Sequence, residues 1–199
     1  MSRCIHRDSS INNYSVGEEI APMPSNEMER ALLIAKMIMK VCGFSKVQTA
    51  AICGYMSVES HFIPTAINEV EKKNNSGYTA NGGYGAGLMQ WTGSSFKKKV
   101  LEDAGLVGPI EKLSAEQQIN LLNSMSKQSQ KKYFDELRKC SNIENASAVI
   151  CIWGAGIGRY DYWGIRLPNE NDARNALKNY GVQTWIDKYA YAKQVLSKL

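Results

Sequence analysis

The chain has 199 residues, of which 44% are hydrophobic and 22% are charged, and its formal net charge is +5. This length and composition suit one globular domain, or one domain with an appendage. No stretch approaches about 18 uninterrupted apolar residues, which excludes a membrane-spanning helix. The mildly basic charge fits an anionic partner such as a cell wall, a nucleic acid or a membrane surface, but it selects none of them.

The first 24 residues are polar and lack periodicity, and they close with Pro22 and Pro24. They contain no apolar core of the kind that a signal peptide has, so we expect synthesis in a reducing cytoplasm and delivery to any outside target by another route. We interpret residues 1–24 as an extended arm that docks onto a partner or onto the domain itself. Residues 25–199 are predicted to form one mostly helical domain.

Two adjacent helices are predicted at the start of this domain. The first begins at Ser25 or Asn26 and ends at Gly43, a residue type that favours a left-handed helix cap. The second begins at Ser45, which forms a capping box with Gln48. Its side chains are apolar on most faces, which is typical of a helix buried by its neighbours. We therefore expect a helical hairpin whose second helix is central.

Glu59 lies at the end of this second helix. Its side chain continues an apolar stripe at positions i, i+3, i+4 and i+7, which also holds Ile52, Tyr55 and Met56. Burial and the helix dipole both favour the protonated form of a carboxyl in such a place, and a general acid must be protonated. The alternative is a solvated glutamate at a frayed helix end, because glutamate is rarely buried.

Residues 65–91 change character and contain five glycines. Turns or a short β-hairpin are expected here, and a helix is not. A phosphate-binding loop is not favoured, because no strand precedes the glycines and no G-K-[ST] follows them. Glycines also let a backbone approach a ligand closely, and Tyr78, Tyr84 and Trp91 supply flat faces for stacking on sugars or bases.

Helices are predicted for most of the remaining chain. The predicted segments run from Ser94 or Ser95 to about Ala104, from the Ser114–Gln117 capping box through Met125, and over residues 131–138, 144–153, about 170–180 and 183–198. The lysines at 97–99 are interpreted as a solvated face, and nucleic-acid binding is not favoured because no recognised motif accompanies them. The fold class is therefore mostly α, with one glycine-rich excursion.

Nucleophilic and metal chemistries fit this sequence poorly. The five cysteines include no C-x-x-C pair, and Cys42, Cys53 and Cys151 lie among apolar neighbours, as core residues do. The histidines His6 and His61 are distant from each other and lack ligand spacing. We expect no metal and no other cofactor. A carboxylic acid at a buried helix end, beside a flexible aromatic loop, suits acid catalysis on a glycoside.

Two motifs resemble those of lysozyme-like domains. Residues 59–64, E-S-H-F-I-P, are similar to the E-S-x-F-x-P motif, and residues 87–90, G-L-M-Q, are similar to a motif of soluble lytic transglycosylases. The closer resemblance is to the phage tail lysozyme family, which is also related to goose-type lysozymes. There a Q-A-A-G-I-L-G-N-x-x-x-E-S-like helix precedes G-Y-G-x-G-Q-W-T, and residues 48–60 and 83–93 stand in those places. The resemblance is strong over residues 30–105.

This resemblance implies a lysozyme-like α+β domain that cleaves the β-1,4 bond between N-acetylmuramic acid and N-acetylglucosamine in peptidoglycan. It implies that Glu59 is the general acid, that Ser60 and Gln90 line the cleft, and that Tyr84 and Trp91 shape the sugar subsites. It also implies a phage virion-associated protein that acts on the bacterial cell wall, with other tail proteins bound through the N-terminal arm. The A-Y-N motif of transglycosylases is absent, and W-G-A at residues 153–155 is only a loose echo of it.

The sequence leaves the second catalytic carboxylate open. A glycoside hydrolase places one at about 5–5.5 Å from the first for retention, or about 6.5–9.5 Å for inversion. We name Glu71 as the candidate, with Glu69 and Asp161 as alternatives. Without a second carboxylate, the expected chemistry is lytic transglycosylation, which leaves 1,6-anhydro ends. A structural virion protein that binds glycan without cutting it is the alternative from another class.

Overall fold

The structure, a computed structural model, describes residues 23–154 and 183–199 of the chain. These residues form α1 (Glu27–Cys42), α2 (Lys46–Glu59), α3 (Glu69–Asn74), α4 (Ser94–Ala104), α5 (Ala115–Lys127), α6 (Lys131–Lys139), α7 (Ile143–Gly154) and α8 (Gln183–Leu196). The mostly α prediction is confirmed. Residues 1–22 of the predicted arm and the predicted helix at 170–180 lie outside the described residues. None of the described helices is long and apolar enough to cross a membrane.

Helix α2 is the central helix of the fold. Every residue from Gln48 to Ser57 is buried, and the helix packs against α1, α7 and α8. The predicted capping box is present, because Ser45 Oγ accepts the Gln48 N–H at 3.3 Å and Gln48 Oε1 accepts the Ser45 N–H at 3.0 Å. The Gln48 Nε2 also donates to the carbonyls of Arg138 and Cys140. The start of α2 is thereby fixed against the end of α6.

Most predicted helix ends are confirmed. Asn26 caps α1, and Gly43 and Gly105 adopt left-handed φ angles of 70° and 66° at the ends of α1 and α4. The predicted serine cap of α4 is wrong: the cap residue is Gly93, whose φ is 92°, and no side chain caps the helix. The Gly93 N–H instead donates to the Gly83 carbonyl at 2.5 Å, so a backbone contact with the glycine-rich segment determines where α4 begins.

The glycine-rich segment differs from its prediction in two respects. It contains the short helix α3, in which the Asn68 side chain accepts the Glu71 N–H at 3.1 Å. Helix α3 buries none of its residues, so no apolar periodicity could reveal it. The predicted β-hairpin is not seen, since the segment forms isolated bridges between Ile67 and Ala86 and between Ala86 and Trp91.

Helix α8 lies directly against α2 at Gly54. A Cβ placed on Gly54 would lie 2.3 Å from the Lys188 carbonyl oxygen and 2.7 Å from Ala192 Cβ. Both distances are below those that real Cβ atoms tolerate, so only glycine allows this approach. The two backbones therefore nearly touch about one and a half turns before the end of α2.

Replacing Gly54 by alanine is expected to lower the free energy of unfolding by about 1–3 kcal/mol, because the added methyl group overpacks the contact with α8. Alanine exceeds glycine in helix propensity by about 1 kcal/mol, so the same change would stabilise a helix without this contact. Urea unfolding followed by circular dichroism measures the difference. A variant as stable as the wild type would contradict the close approach of the two helices.

Candidate active site

Glu59 is the last residue of α2, and its side chain is 25% exposed. The helix ends there because His61 and Phe62 have φ angles of 50° and 60°, a conformation that is costly for residues other than glycine. The Arg30 Nε donates to the His61 carbonyl at 3.1 Å. Phe62 is fully buried and packs against the ring of Tyr191, with the ring centroids 5.7 Å apart. These contacts hold the strained turn and thus the direction in which α2 ends.

Two hydrogen-bond donors meet the Glu59 carboxylate. The Lys188 Nζ lies 2.5 Å from Glu59 Oε1, and the side chain of Tyr55, one turn earlier, hydrogen-bonds to the same carboxylate. The ammonium also lies 4.0 Å from the centroid of the Tyr55 ring. The Lys188 side chain is only 8% exposed, which is unusual for lysine. No pattern around Glu59 in the sequence predicted this ammonium, which comes from a helix 129 residues away.

Two other groups near Glu59, the phenol of Tyr55 and the thiol of Cys151, are neutral near pH 7. Burial raises the pKa of Tyr55 well above its usual range, and the charge of Glu59 adds to the effect. Burial also raises the pKa of the Cys151 thiol on α7 to about 12. The Cys42 thiol, which lies at the end of α1 against α5, has its pKa raised to about 12 for the same reason. These cysteines are therefore core thiols rather than nucleophiles, as the sequence predicted.

Ser60 ties the end of α2 to the glycine-rich segment. Its hydroxyl donates to the Leu88 carbonyl at 2.9 Å and lies 3.2 Å from the Met56 carbonyl. The Ser60 side chain is buried, so its hydroxyl forms its hydrogen bonds within the protein. The structure thus places Ser60 beside Glu59 in a structural role, and its contact with a substrate stays a prediction.

Gln118, which the sequence analysis did not select, joins three segments through one buried amide. Its Oε1 accepts the Leu88 N–H at 2.8 Å. Its Nε2 lies 2.9–3.0 Å from the carbonyls of Pro64, Ile110 and Leu113. The turn after α2, the G-L-M-Q motif and the turn before α5 are therefore fastened together. The only feature of the sequence that could have indicated this role is that Gln118 occupies a position of α5 where the helical period predicts an apolar residue.

The G-L-M-Q motif forms a tight turn in which Gly87 has a φ of 74° and Gln90 a φ of 50°. The half-buried Gln90 side chain donates to the carbonyls of Gly87 and Ala66 at 3.0 and 3.3 Å. Trp91 is 2% exposed, and its indole N–H lies 3.2 Å from Met125 Sδ. The indole ring therefore belongs to the core, and roles for Gln90 and Trp91 in sugar binding stay predictions.

Glu71 lies in the first turn of α3, and its side chain hydrogen-bonds to the backbone of the glycine-rich segment. Its Oε2 accepts the Gly85 N–H at 2.7 Å, and the Asn68 N–H donates to the Gly85 carbonyl at 2.8 Å. Glu69, in the same turn, is exposed, and Asp161 lies outside the described residues. The role of Glu71 as the second carboxylate stays a prediction.

Tyr84 lines a cavity of about 290 Å³ beside the glycine-rich segment. Its hydroxyl donates to Glu111 Oε1 at 2.7 Å, and this hydrogen bond raises the pKa of Tyr84 to about 12. The Lys97 Nζ donates to the Tyr84 carbonyl at 2.8 Å and lies 4.5 Å from the ring centroid. The cavity therefore presents a phenol, an ammonium and a carboxylate, all of which can bind sugar hydroxyls.

The predicted solvated lysine face is wrong for Lys97, which is 8% exposed. Burial lowers the pKa of Lys97, while the charges of Glu111 and Glu71 oppose that shift. Lys98 and Lys99 are exposed and pair with acidic residues one turn later in α4. The interpretation of a solvated face therefore holds for two of the three lysines.

His61 is exposed, and its Nδ1 lies 3.3 Å from Glu27 Oε2. Because its partner is a surface carboxylate of α1, His61 is not favoured as a catalytic base. Within residues 23–154 and 183–199, no group of three or more His, Cys, Asp or Glu side chains could hold a metal ion.

A family model for phage tail lysozymes matches residues 29–158, which is more than half of the 199 residues and includes Glu59 and the glycine-rich segment. The chain belongs to the phage tail lysozyme family. Membership in this family confirms the resemblance found in the sequence and indicates a lysozyme-like enzyme that acts on the cell wall. Neither a curated protein nor a solved structure matches the chain. Helix α8, with Lys188, lies outside the residues matched by the family model.

Replacing Gln118 by leucine is expected to cost about 2–4 kcal/mol of the free energy of unfolding. The change leaves the buried Leu88 N–H and several buried carbonyls without partners, and each such group costs about 1–3 kcal/mol. The exposed Gln128 provides the control, because Gln128→Leu is expected to change the free energy by less than about 0.5 kcal/mol. Equal effects of the two changes in urea unfolding would contradict the role of Gln118.

Proposed function

We propose that this member of the phage tail lysozyme family is a peptidoglycan glycosidase with Glu59 as its general acid. The bond cleaved is the β-1,4 bond between N-acetylmuramic acid and N-acetylglucosamine. The observation that carries the proposal is the position of Glu59: a quarter-exposed carboxyl at the end of a buried helix, tied through Ser60 to the glycine-rich segment. The family match, which spans both features, supports it.

In the proposed reaction, Glu59 gives its proton to the leaving glycosidic oxygen while the bond from that oxygen to the anomeric carbon breaks. Positive charge develops on the sugar ring, and a negative charge returns to the carboxyl group. The Lys188 ammonium and the Tyr55 hydroxyl, which already contact that carboxylate, stabilise the charge that the transfer creates.

We propose two different roles for the predicted substrate-binding residues. Tyr84 and Gln90 are half-buried and contact the glycan directly. Ser60 and Trp91 are buried and hold the glycine-rich segment that the glycan touches. The cavity beside Tyr84, with Glu111 and Lys97, offers hydrogen bonds to sugar hydroxyls or acetamido groups.

We further propose that the protein acts as a virion-associated tail lysozyme on the bacterial cell wall, with the N-terminal arm of residues 1–24 bound to other tail proteins. The family description supports this setting. The mildly basic chain, with a net charge of +5, suits an anionic wall.

Replacing Glu59 by glutamine is expected to reduce the release of soluble fragments from purified cell walls by about 100-fold or more, because a general acid contributes about 10²–10⁴ to the rate. The exposed Glu116 of α5 supplies the matched control, and Glu116→Gln is expected to retain full activity. If Glu59→Gln released fragments as fast as the wild type, Glu59 would not be the acid. A wild-type protein that binds walls without releasing fragments would favour the non-catalytic alternative.

Replacing Glu71 by glutamine separates the two glycosidase mechanisms. Glutamine keeps an oxygen that accepts the Gly85 N–H but removes the charge. We expect activity to fall by about 100-fold with stability retained, because hydrolysis needs the second carboxylate. Glu69→Gln, at an exposed position, is expected to stay active. Mass spectrometry of the products should find reducing ends; an active Glu71→Gln enzyme that produces 1,6-anhydro ends would instead identify a lytic transglycosylase.

A further inference from the structure

Lys188 contacts Glu59 from a helix that the family match does not include. We propose that Lys188 is a positioning residue for the general acid: its ammonium holds the Glu59 carboxyl in place at the end of α2 and stabilises the carboxylate that remains after proton transfer. The inference rests on the proposed role of Glu59, and it makes α8 part of the active site.

The fold fixes where the Lys188 side chain begins. Its carbonyl oxygen lies so close to Gly54 that a Cβ on Gly54 would come within 2.3 Å of it, and Ala192 makes the same contact one turn later. From this point the lysine side chain extends across the ring of Tyr55, where the Nζ lies 4.0 Å from the centroid, and ends at Glu59 Oε1. The ammonium is therefore placed by backbone packing and by a cation–π contact.

The ion pair between Lys188 and Glu59 also differs from a surface ion pair, because its lysine is buried. The Lys188 side chain is 8% exposed, and burying an ammonium is unfavourable unless a partner compensates for the lost hydration. Exposed ion pairs on this protein, such as that between Lys98 and Glu102, carry no such constraint because both side chains are in water. Lys188 thus depends on Glu59 for its partner.

Two groups are in contact with the Glu59 carboxylate: Tyr55 of α2 hydrogen-bonds to it, and Lys188 of α8 forms an ion pair with it. Burial raises the pKa of Tyr55, so its phenol is neutral near pH 7. Lys188 therefore supplies the charge that acts on the carboxyl in this part of the site.

The Lys188 ammonium is placed to act at the moment of proton transfer. Once the proton has moved from Glu59 to the leaving oxygen, the adjacent ammonium stabilises the carboxylate that remains. Lys188 thus favours the proton transfer itself and also holds the carboxyl in place.

The test compares Lys188→Met and Lys188→Gln, which remove the charge, with Lys188→Arg, which keeps it. The release of soluble fragments from purified walls is measured at several wall concentrations. We expect kcat to fall by about tenfold or more in the two uncharged variants, with a smaller change in KM, and to stay near the wild-type value with arginine. Lys193→Met is the matched control, since it removes an exposed lysine from the same helix and should leave kcat unchanged.

NMR of the full chain supplies the second measurement. At one fixed pH, the nitrogen-15 signal of the Lys188 ammonium should shift in Glu59→Gln and stay in place in Glu116→Gln. Wild-type kcat in both uncharged variants would overturn the inference, as would a kcat that arginine does not restore.

The NMR measurement needs no enzymatic activity, so it tests the contact even if Glu59→Gln shows that Glu59 is not the acid. It also leaves Lys188 in place, so it decides the matter if the uncharged Lys188 variants fail to fold. A Lys188 signal that is the same in the wild type and in Glu59→Gln would overturn the inference.

Discussion

One buried amide, that of Gln118, holds the candidate site together. It binds the Leu88 N–H and reaches carbonyls in the turn after α2 and in the turn before α5. Ser60 adds a second bond to Leu88, at its carbonyl. Unpaired buried groups each cost about 1–3 kcal/mol, so these segments separate only at a large cost in free energy. A glycine-rich segment without strands is thereby fixed against the end of the central helix.

The helices were predictable where their signals are local. The serine and glutamine of each capping box lie three residues apart, and both α2 and α5 begin where these boxes predicted. Helix α3 escaped prediction because six residues without a buried side chain carry no periodicity. Lys97 was misread because a lysine within K-K-K is indistinguishable by sequence from its exposed neighbours, whereas its burial depends on Tyr84, 13 residues earlier.

The candidate site was predictable at the level of motifs and family, but the surroundings of its side chains were not. The E-S and G-L-M-Q motifs correctly indicated a lysozyme family and identified two segments that the structure brings into contact. Their pattern did not reveal that Ser60 and Trp91 point inward, because helix and strand periodicities do not apply to turns. The role of Lys188 could not be predicted from the sequence, since its contact with Glu59 depends on how two helices that are distant in sequence pack together.

The contact between α2 and α8 also bears on how the enzyme is made. Glu59 and Lys188 are 129 residues apart, and a contact of such high sequence separation forms late because a long loop must close first. On a ribosome, which releases the N-terminal part first, the Gly54 face of the central helix cannot pack against α8 until that helix has been synthesised. The nascent chain therefore lacks the contact between Lys188 and Glu59 for most of its synthesis, and the candidate site gains its buried ammonium only after α8 has left the ribosome.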